Sequence, residues 1–526
     1  MLGATNGSSV SVWMDTATVP VFPPLDGDHA ARVCVIGAGI AGLTTAYLLA
    51  QEGVDVLVID ALGIGAGETG RSSAHLFPPD EWYHGIARRF GPVQARLVAG
   101  SHAHAVALVE ASVHREAIDC DFSRLDGYLV APSAAAEPML GREQRAAAQA
   151  GVTATMLAGV PGLAHDFGPC VHYPGQAQLH PLKYLDGLAR AIVRLGGRIH
   201  GGTRARRVRG DHRHQLVTTE RGRIAAGAVV VATHTPFNDR VVMHTKQASY
   251  RSYVLGLRVP PGALPRLLLW ELGDPYHYVR LAHGDAGHEV LIVGGADHHT
   301  GQDDHPGHRY DELERWTRAR FACAGEVAWR WSGAIMEPAD GLPFLGRNPM
   351  DDENVYLISG DSGNGMTHCT IGAMLVSDLI MERPNPWSAL YDPSRKPVHG
   401  VGRFASAQAH VLARYGEWLG GGDVDSVHAI GRGEGAVLSE GLRRVAVYRD
   451  DGGALHALSA RCTHLGCAVH WNGAERSWDC PCHASRFDTE GKVLHGPAPA
   501  PLEKVALDLA DAPPPERRRA PRRGMR

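Results

Sequence analysis

The sequence has no excess of positive charge and no recognisable export signal. Its formal net charge is −4, so the chain has no overall basic field to attract nucleic acid. The first residues lack the basic start and the apolar core of a signal peptide. One basic run, residues 516–526, is interrupted by proline and is expected to be a solvated tail. We therefore expect a cytoplasmic protein with no nucleic-acid partner.

A clear membrane span is also missing, and the cysteines do not contradict a cytoplasmic location. The uncharged stretch from Val33 to Ala50 could span a membrane by hydropathy, but its glycines fit a strand, turn and helix, and no flanking basic residues mark a span. Of nine cysteines, four cluster between residues 462 and 482 and five are scattered. Scattered single cysteines are usually buried thiols in a reducing compartment.

The length predicts several domains. A chain of 526 residues is too long for one ordinary domain. Strand and helix patterns alternate over most of the chain, a Pro-rich break follows, and short strands with glycine turns come last. The expected divisions are an N-terminal arm at 1–30, a first domain at 31–395, a helix and linker at 396–423, a second domain at 424–512, and a disordered basic tail at 513–526.

The first domain opens with a dinucleotide-binding pattern. A strand leads into Gly37-x-Gly39-x-x-Gly42, a helix follows, and the next strand ends on Asp60. Glycines allow a tight turn and close approach of a pyrophosphate, which the helix N-terminus attracts, and the acid suits a ribose hydroxyl. A second match at residues 65–70 lacks an apolar helix after it, so we expect it to be accidental.

The fingerprint alone does not distinguish FAD from NAD. A buried strand at 225–237 contains Ala232 and Thr233, at the place of a second nucleotide-contacting strand. A strand, a Gly-rich loop and a helix follow at 355–380. That helix would aim its N-terminus at an acceptor that becomes negatively charged on reduction, as a flavin does.

Together with "GETGRSSAHL", "GGADHHTGQ", "DGLPFLGRNP" and "GDSGNGMTH", these segments resemble the FAD-dependent oxidoreductases of the D-amino-acid oxidase/glycine oxidase superfamily. The resemblance covers residues 31 to about 390 and implies FAD. It implies that the ADP half of FAD is bound by Gly37, Gly39, Gly42 and Asp60. The pyrophosphate and ring would lie near Thr69, Arg71 and Ser72, and the pyrimidine edge near Gly363, Asn364, Gly365, Met366 and Thr367.

Members of that superfamily oxidise amines or amino acids by hydride transfer to the flavin, with an inserted substrate domain. Tyr278 and Arg280 are the candidate catalytic residues on its expected strands, although both could be ordinary strand residues. Many relatives carry a carboxylate-binding arginine where this chain has Met336 and Glu337, so a simple α-amino acid is doubtful and amines remain open. His75 lies where some flavoproteins attach FAD covalently; a hydrogen-bonding role is the other interpretation.

The clustered cysteines suggest a metal centre. The pattern is Cys462-x-His464, then Cys480-x-x-His483. Zinc accepts two cysteines and two histidines, but its usual spacings differ from this one. Mixed pairs on two loops suit a [2Fe–2S] cluster with two thiolates on one iron and two imidazoles on the other.

The segment from about Val424 to Leu509 resembles a Rieske domain in "CTHLGC" and "CPCHASRFDTEGKVLHGPAPAPL". The resemblance implies a disulfide between Cys467 and Cys482, and a hydroxyl of Ser485 bonded to the cluster. The expected fold class is an α/β FAD-binding (Rossmann-type) domain with an inserted antiparallel β-sheet substrate domain, plus a small all-β Rieske domain.

These observations predict an FAD-dependent oxidoreductase that oxidises a small amine-like substrate. Its Rieske cluster would relay single electrons to or from an unidentified partner. Two alternatives stay open: a Rieske oxygenase, for which no mononuclear-iron motif is recognisable in the sequence, and an electron carrier without substrate chemistry of its own.

Overall fold

The computed structural model describes residues 6–79, 82–211, 213–238, 242–273, 275–285, 287–303, 306–349, 351, 354–396, 414, 416–440 and 443–507. The basic tail expected at 513–526 lies outside these residues, as does most of the helix expected within 396–423. The domain boundaries given above therefore stay predictions.

A mostly parallel sheet forms the base of the first domain. Strand β1 lies between β2 and β10 and runs parallel to both, and β16 closes one edge in the antiparallel sense. The apolar run Val33–Ile36 is buried, as expected of a parallel strand covered on both faces. The strands are β1 (His29–Ile36), β2 (Val56–Ile59), β7 (Arg198–His200), β8 (Ala205–Gly210), β9 (Gln215–Thr219), β10 (Arg223–His234), β16 (Phe344–Arg347) and β17 (Val355–Ser359).

A second sheet of nine strands is nearly all antiparallel; only β4 and β12 pair in parallel. It is assembled from two separate stretches of chain, one before and one after β10. The sequence had indicated only strands of the second stretch. The members are β3 (His75–Leu76), β4 (Ser123–Val130), β5 (Thr155–Leu157), β6 (Cys170–Gln178), β11 (Gln247–Val259), β12 (Leu268–Glu271), β13 (His277–His283), β14 (Glu289–His299) and β15 (Val327–Pro338).

Helices cover both sheets. Helix α2, which follows the glycine fingerprint, packs against α6 and α9, while α8 packs on β11 and β14 of the second sheet. In the described residues, no helix combines the length and apolarity needed to span a membrane. The helices are α1 (Val12–Thr16), α2 (Ile40–Gln51), α3 (Trp82–Phe90), α4 (Pro92–Arg115), α5 (Glu137–Gln149), α6 (Pro181–Arg194), α7 (Val242–Thr245), α8 (His308–Arg320), α9 (Gly365–Ile380) and α10 (Ser388–Tyr391).

Two small antiparallel sheets make up the C-terminal domain. Trp478 and Phe487 are buried in its core together with the four clustered cysteines. The two cysteine-bearing loops follow β20 and β22. The strands are β18 (Gly435–Glu440), β19 (Arg443–Arg449), β20 (Leu455–Ser459), β21 (His470–Asn472), β22 (Ser477–Asp479), β23 (Arg486–Phe487) and β24 (Val493–His495).

Candidate functional site

A cavity of about 910 Å³ is lined by residues of both large sheets and of the C-terminal domain. The N-termini of α2 and α9 both border it, through Gly39 and Ile40 at one and Gly365 and Met366 at the other. Each terminus presents backbone N–H groups and the positive end of a helix dipole. The cavity therefore offers two positions for negatively charged groups, as a dinucleotide requires.

Two of the three fingerprint glycines, Gly37 and Gly42, are packed too closely to accept a side chain. Gly37 has φ +114°, and a Cβ there would lie 2.3 Å from the Ala232 carbonyl oxygen. A Cβ on Gly42 would collide with the carbonyl of Gly37. Gly37 and Gly39 line the cavity, whereas Gly42 serves the packing of helix on strand. This division of roles is the one that a pyrophosphate-binding turn needs.

Asp60 lies at the cavity wall, but its carboxylate is also bonded to the backbone. Oδ2 accepts the Ala38 N–H at 2.8 Å, and Oδ1 accepts the N–H groups of Leu62 and Gly63. Burial raises the pKa of Asp60, and these three N–H donors and Arg204 oppose that rise. Asp60 thus holds the turn as well as facing the place expected for a ribose.

Thr69, Arg71 and Ser72 all line the cavity, and the second glycine match lies in the same wall. This segment contains a short 3₁₀ helix, Glu68–Arg71, with no α-helix after it. The Thr69 hydroxyl accepts the Ile40 N–H at 3.1 Å and so holds the start of α2. The Arg71 guanidinium instead turns toward Glu475 of the C-terminal domain, at 3.2 Å. That partner was not expected from the sequence.

Only part of the loop before α9 faces the cavity. Gly363, Gly365 and Met366 line it, as do Ala232 and Thr233 at the end of β10. The Asn364 amide donates to the carbonyl of Pro78 at 2.9 Å, and Thr367 is buried in the helix. Asn364 and Thr367 therefore support the loop and do not line the cavity.

Tyr278 lies in the substrate-side wall, among other aromatic rings. Its ring centroid is 5.6 Å from that of His75, and its hydroxyl is 3.2 Å from the Ser252 hydroxyl. Phe77 and Trp270 stack beside them with centroids 5.0 Å apart. Burial lowers the pKa of His75 to about 3, helped by the charge of Arg280, so this imidazole is neutral.

Arg280 does not line the cavity, which corrects the expectation that it contacts substrate. Its Nη1 donates to the carbonyl oxygens of Ser73, Ala74 and Leu179, and its guanidinium carbon lies 5.1 Å from the centre of the Trp13 ring. These bonds hold the segment that leads into His75. A fully buried arginine whose Nη1 donates to three carbonyls supports the backbone here, and nothing in the local sequence distinguishes it from a substrate ligand.

Three carboxylates on strands of the second sheet line the cavity and were not recognised as functional residues from the sequence. The Tyr276 hydroxyl donates to Asp297 at 2.8 Å, the Ser362 hydroxyl donates to Glu337 at 2.8 Å, and His277 contacts Glu271 at 2.5 Å. The substrate-domain strands β11 to β15 contribute no arginine to the described lining. Lys246, the residue before β11, does line the cavity, but its Nζ donates to the carbonyl oxygens of Pro393 and Arg395. The side chains of the substrate side are therefore mainly aromatic and acidic.

The four expected cluster ligands come together on the two loops of the C-terminal domain. The Cys462 and Cys480 thiols share a hydrogen bond, which lowers the pKa of Cys462 to about 7 and raises that of Cys480. The rings of His464 and His483 lie 4.9 Å apart at 89°. Burial, with help from neighbouring imidazoles, lowers the pKa of His483 to about 3 and keeps it in the neutral form that binds metal.

The other two cysteines of the cluster form a disulfide, Cys467–Cys482, as the resemblance implied. It ties the two ligand loops together, with Cα atoms 6.5 Å apart. Ser485 is fully buried and contributes to lowering the pKa of Cys462. Two thiols, two imidazoles and a cross-link between their loops fit a [2Fe–2S] cluster with mixed ligands.

The C-terminal domain also reaches into the wall of the large cavity. His495 at the end of β24 lines the cavity, and its Nε2 lies 3.1 Å from Nδ1 of His234. The opposite nitrogen of His234 lies 3.3 Å from Asp361. Burial alone would lower the pKa of His234, but the Asp361 carboxylate reverses the effect and raises it. All three residues stand within motifs recognisable in the sequence, yet their contact is not.

Comparison with known proteins assigns each part of the chain. Residues 32–379 match the family of FAD dependent oxidoreductases, and residues 420–506 match the Rieske [2Fe-2S] domain. The "Putative Rieske 2Fe-2S iron-sulfur protein YhfW" of Bacillus subtilis (strain 168) is 31% identical over 500 residues, which cover 94% of this chain and 97% of that protein.

Two further relatives match the first domain. The gamma-glutamylputrescine oxidoreductase of Escherichia coli (strain K12) is 24% identical over 403 residues, covering 72% of this chain and 90% of the relative. The crystal structure of glycine oxidase from Geobacillus kaustophilus superposes with a TM-score of 0.59 at 21% identity, covering 70% of this chain and 99% of that one. The chain is thus an FAD-binding enzyme that belongs to the D-amino-acid oxidase type of FAD-dependent oxidoreductases, and it carries a Rieske [2Fe–2S] domain at its C-terminal end.

Proposed function

We propose that the protein oxidises a small cationic amine at its FAD and that its Rieske cluster carries the electrons away singly. The observation that carries the substrate class is the wall of the cavity on the side of the second sheet. That wall presents aromatic rings and three carboxylates, and in its described part the substrate strands add no arginine. A carboxylate substrate would need such a cation.

The aromatic side chains support binding of an ammonium group. Phe77 and Trp270 stack with an interplanar angle of 22°, and Tyr276 and Tyr278 lie on the same side. An ammonium over such rings gains about 0.5–2 kcal/mol, more where water is excluded. Asp297, Glu271 and Glu337 add negative charge. An acidic, aromatic wall favours an ammonium group on this side of the cavity.

The cofactor contacts are part of the same proposal. We assign the pyrophosphate turn to Gly37 and Gly39, with Thr69 holding the start of α2. We assign the cluster to Cys462, His464, Cys480 and His483. Bound FAD supplies the chemistry of hydride acceptance from the carbon next to nitrogen. The protein must hold that carbon at the ring, and the rings around Tyr278 are placed to do so.

Electron counting supports a relay. Oxidation of one amine releases two electrons, whereas a [2Fe–2S] cluster takes one at a time. Two successive transfers are therefore needed, with an outside one-electron acceptor between them. The name of the Escherichia coli relative also points to an amine-type substrate.

Of the two alternatives, the oxygenase is the less compatible with the side chains. It needs two histidines and a carboxylate that converge on one iron. His234, His495 and Asp361 have the right composition, but His234 uses opposite ring nitrogens toward the other two, so they form a chain and do not converge. Within the described residues, the close group of metal-ligand atom types is Cys467, Cys480 and Cys482, and two of these are joined in the disulfide, so the group is not a mononuclear iron site.

The test is anaerobic addition of a panel of amines and amino acids to the purified protein. A cationic amine should bleach the flavin absorbance, and a Rieske-type electron paramagnetic resonance signal should then appear. Bleaching by α-amino acids alone would contradict the amine assignment. No bleaching by any compound, with the flavin still reducible by dithionite, would favour an electron carrier without substrate chemistry.

Asp297→Asn tests the acidic wall. Loss of one charged partner should raise KM for cationic amines about tenfold or more, with a smaller change in kcat. Asp285→Asn is the matched control, because Asp285 is exposed on the turn between β13 and β14, away from the cavity. Equal KM values in Asp297→Asn and the control would remove the carboxylate from substrate binding.

A further inference from the structure

The histidine side of the cluster site packs directly against the flavin domain. His244 on α7 contacts both candidate ligand rings, with its centroid 4.9 Å from that of His464 and 5.6 Å from that of His483. The three rings meet edge to face, at 70° and 67°. His244 is itself buried. A side chain of the flavin domain therefore covers the face of the cluster site on which the imidazoles lie.

The second ligand loop is held against the flavin domain by its backbone. Gly301 follows β14 with φ +70°, and a Cβ there would lie 3.0 Å from the Pro481 nitrogen and 3.2 Å from the Asp479 carbonyl oxygen. A side chain at this position would be strained at this φ and would press on the ligand loop. The loop that carries Cys480 and His483 thus rests on the flavin domain at two separate points.

A buried ion-pair group fixes the two domains together. Glu475 of the Rieske domain lies 3.2 Å from Arg71 and 3.3 Å from Arg251, and all three side chains are fully buried. The N-terminal arm joins the group, because the Ser9 hydroxyl donates to Glu475 at 2.5 Å and also accepts from Arg71. Charges buried in this way must remain paired, so separation of the domains is strongly opposed.

A fourth contact connects the Rieske domain to the flavin cavity itself. His495 and His234 are 3.1 Å apart, and both line the cavity into which α2 and α9 point. Asp361 continues the series at 3.3 Å from His234, in the loop before α9. The Rieske domain therefore supplies part of the wall of the flavin site.

We propose that the Rieske domain is permanently docked on the flavin domain of its own chain, so that electrons pass from flavin to cluster within one molecule. His244 is the positioning residue for His464 and His483, and the His495–His234 contact bridges the two sites. The proposal rests on the proposed function. With FAD and the cluster bound, this docking would let the two electrons of one oxidation leave one at a time through the cluster to an outside one-electron acceptor, while His244 and the His495–His234 contact hold the two sites together.

The first test needs no amine, so it is independent of the substrate assignment. Holoprotein is kept anaerobic, and its FAD is reduced by a light flash with EDTA as the electron donor. Reduction of the cluster is then followed by absorbance and by electron paramagnetic resonance. The rate constant should be the same across a tenfold dilution of the protein. A rate that falls tenfold with dilution would show transfer between molecules and overturn the proposal.

The second test separates positioning from folding. His244→Phe keeps a buried ring but removes the imidazole, and it should change the resonance signal and the reduction potential of the cluster and slow its reduction about tenfold or more. His308→Phe, at an exposed histidine on α8, is the control and should change none of these. His244→Gln should restore part of the rate if polar contact is what matters. An unchanged signal, potential and rate in His244→Phe would overturn the role of His244.

Should His244→Phe lose its cluster, Gly301→Ala provides the second variant. Its Cβ would crowd Pro481, which shifts the ligand loop from the flavin domain without touching a ligand. Iron and flavin content should remain one cluster and one FAD per chain, while the concentration-independent rate falls. A full rate with normal cofactor content would show that close docking of the loop is not required.

Discussion

The flavin site and the iron–sulfur site of this chain are built in opposite ways. The four candidate cluster ligands lie within residues 462–483, on two loops that a disulfide joins and a packed core surrounds. The residues at the flavin cavity come from segments as far apart as Gly37 and His495, and the space between them is open. A local site depends on each of its few side chains, whereas a dispersed site depends on backbone shape at a few points.

The largest effect is expected where the backbone of the dispersed site is blocked. Gly39→Val should abolish FAD binding, because its Cβ would lie 3.0 Å from the Thr69 hydroxyl and its methyls would fill the space needed for the pyrophosphate. The cluster should be unaffected. Flavin and iron content of the purified variant give the measurement.

Gly100→Val is the control for Gly39→Val, since an added Cβ on Gly100 meets nothing within 4 Å. It should keep its FAD. If Gly39→Val also kept a full complement of FAD, the pyrophosphate would have to bind elsewhere. The flavin site would then not depend on the backbone shape at Gly39.

The next largest effect tests the local site through its charge. His464→Cys or His483→Cys should lower the reduction potential of the cluster, because an added thiolate disfavours reduction. The change should run from the Rieske range of about −150 to +300 mV toward the roughly −400 mV of all-cysteine clusters. Redox titration followed by electron paramagnetic resonance measures it. An intact cluster with unchanged potential would show that the substituted histidine is not a ligand.

A third prediction concerns the junction between the sites. Glu475→Gln leaves Arg71 and Arg251 buried without their partner, which should cost about 3–5 kcal/mol of unfolding free energy. Glu490→Gln in the same domain removes an exposed pair with Lys504 and should cost less than about 1 kcal/mol. Chemical denaturation followed by flavin fluorescence compares the two. Equal costs would mean that the buried group does not join the domains.

The same carboxylate gives a pH dependence. Burial opposes ionisation of Glu475, but Arg71, Arg251 and Arg486 outweigh burial, so the pKa lies well below its usual range. A lowered folded-state pKa stabilises the fold fully above the unfolded-state pKa of about 4.3, and this stabilisation is lost as the pH falls further. The difference in stability between the native protein and Glu475→Gln should therefore shrink below about pH 4.3.

Sequence reasoning succeeded where chemistry is local. The glycine turn at Gly37 and Gly39 and the cysteine–histidine loops are short patterns whose geometry follows from spacing, and both domain assignments are confirmed. It failed for charged residues whose partners are distant in sequence. Arg71 contacts Glu475, which is 404 positions away in the sequence, and the residues around neither one predict this contact. Arg280 lies on a strand of the substrate domain, as the sequence predicted, but its guanidinium donates to backbone carbonyls of other segments and does not line the cavity.

The smallest expected effect concerns the covalent link within the local site. The Cys467–Cys482 disulfide closes a loop with a sequence separation of 15 residues, for which loop entropy predicts a stabilisation of about 3 kcal/mol at most. The cluster itself also joins the same two loops. Cys467→Ser with Cys482→Ser should therefore leave both domains folded and the flavin bound. The cluster should be lost faster on heating, and its potential should be lower, because water reaches it more easily.

Thiol counting tests the premise of that prediction directly. The chain has nine cysteines, so denatured, non-reduced protein freed gently of its cluster should show seven thiols, and the double variant should also show seven. Nine thiols in the native sequence, with no reductant present, would mean that the bond does not form in the purified protein. If the double variant then lost its cluster no faster than the native protein, the iron ligands alone would hold the loops. The compactness of the iron–sulfur site, compared with the open flavin site, would then come from packing of the C-terminal core and not from the disulfide.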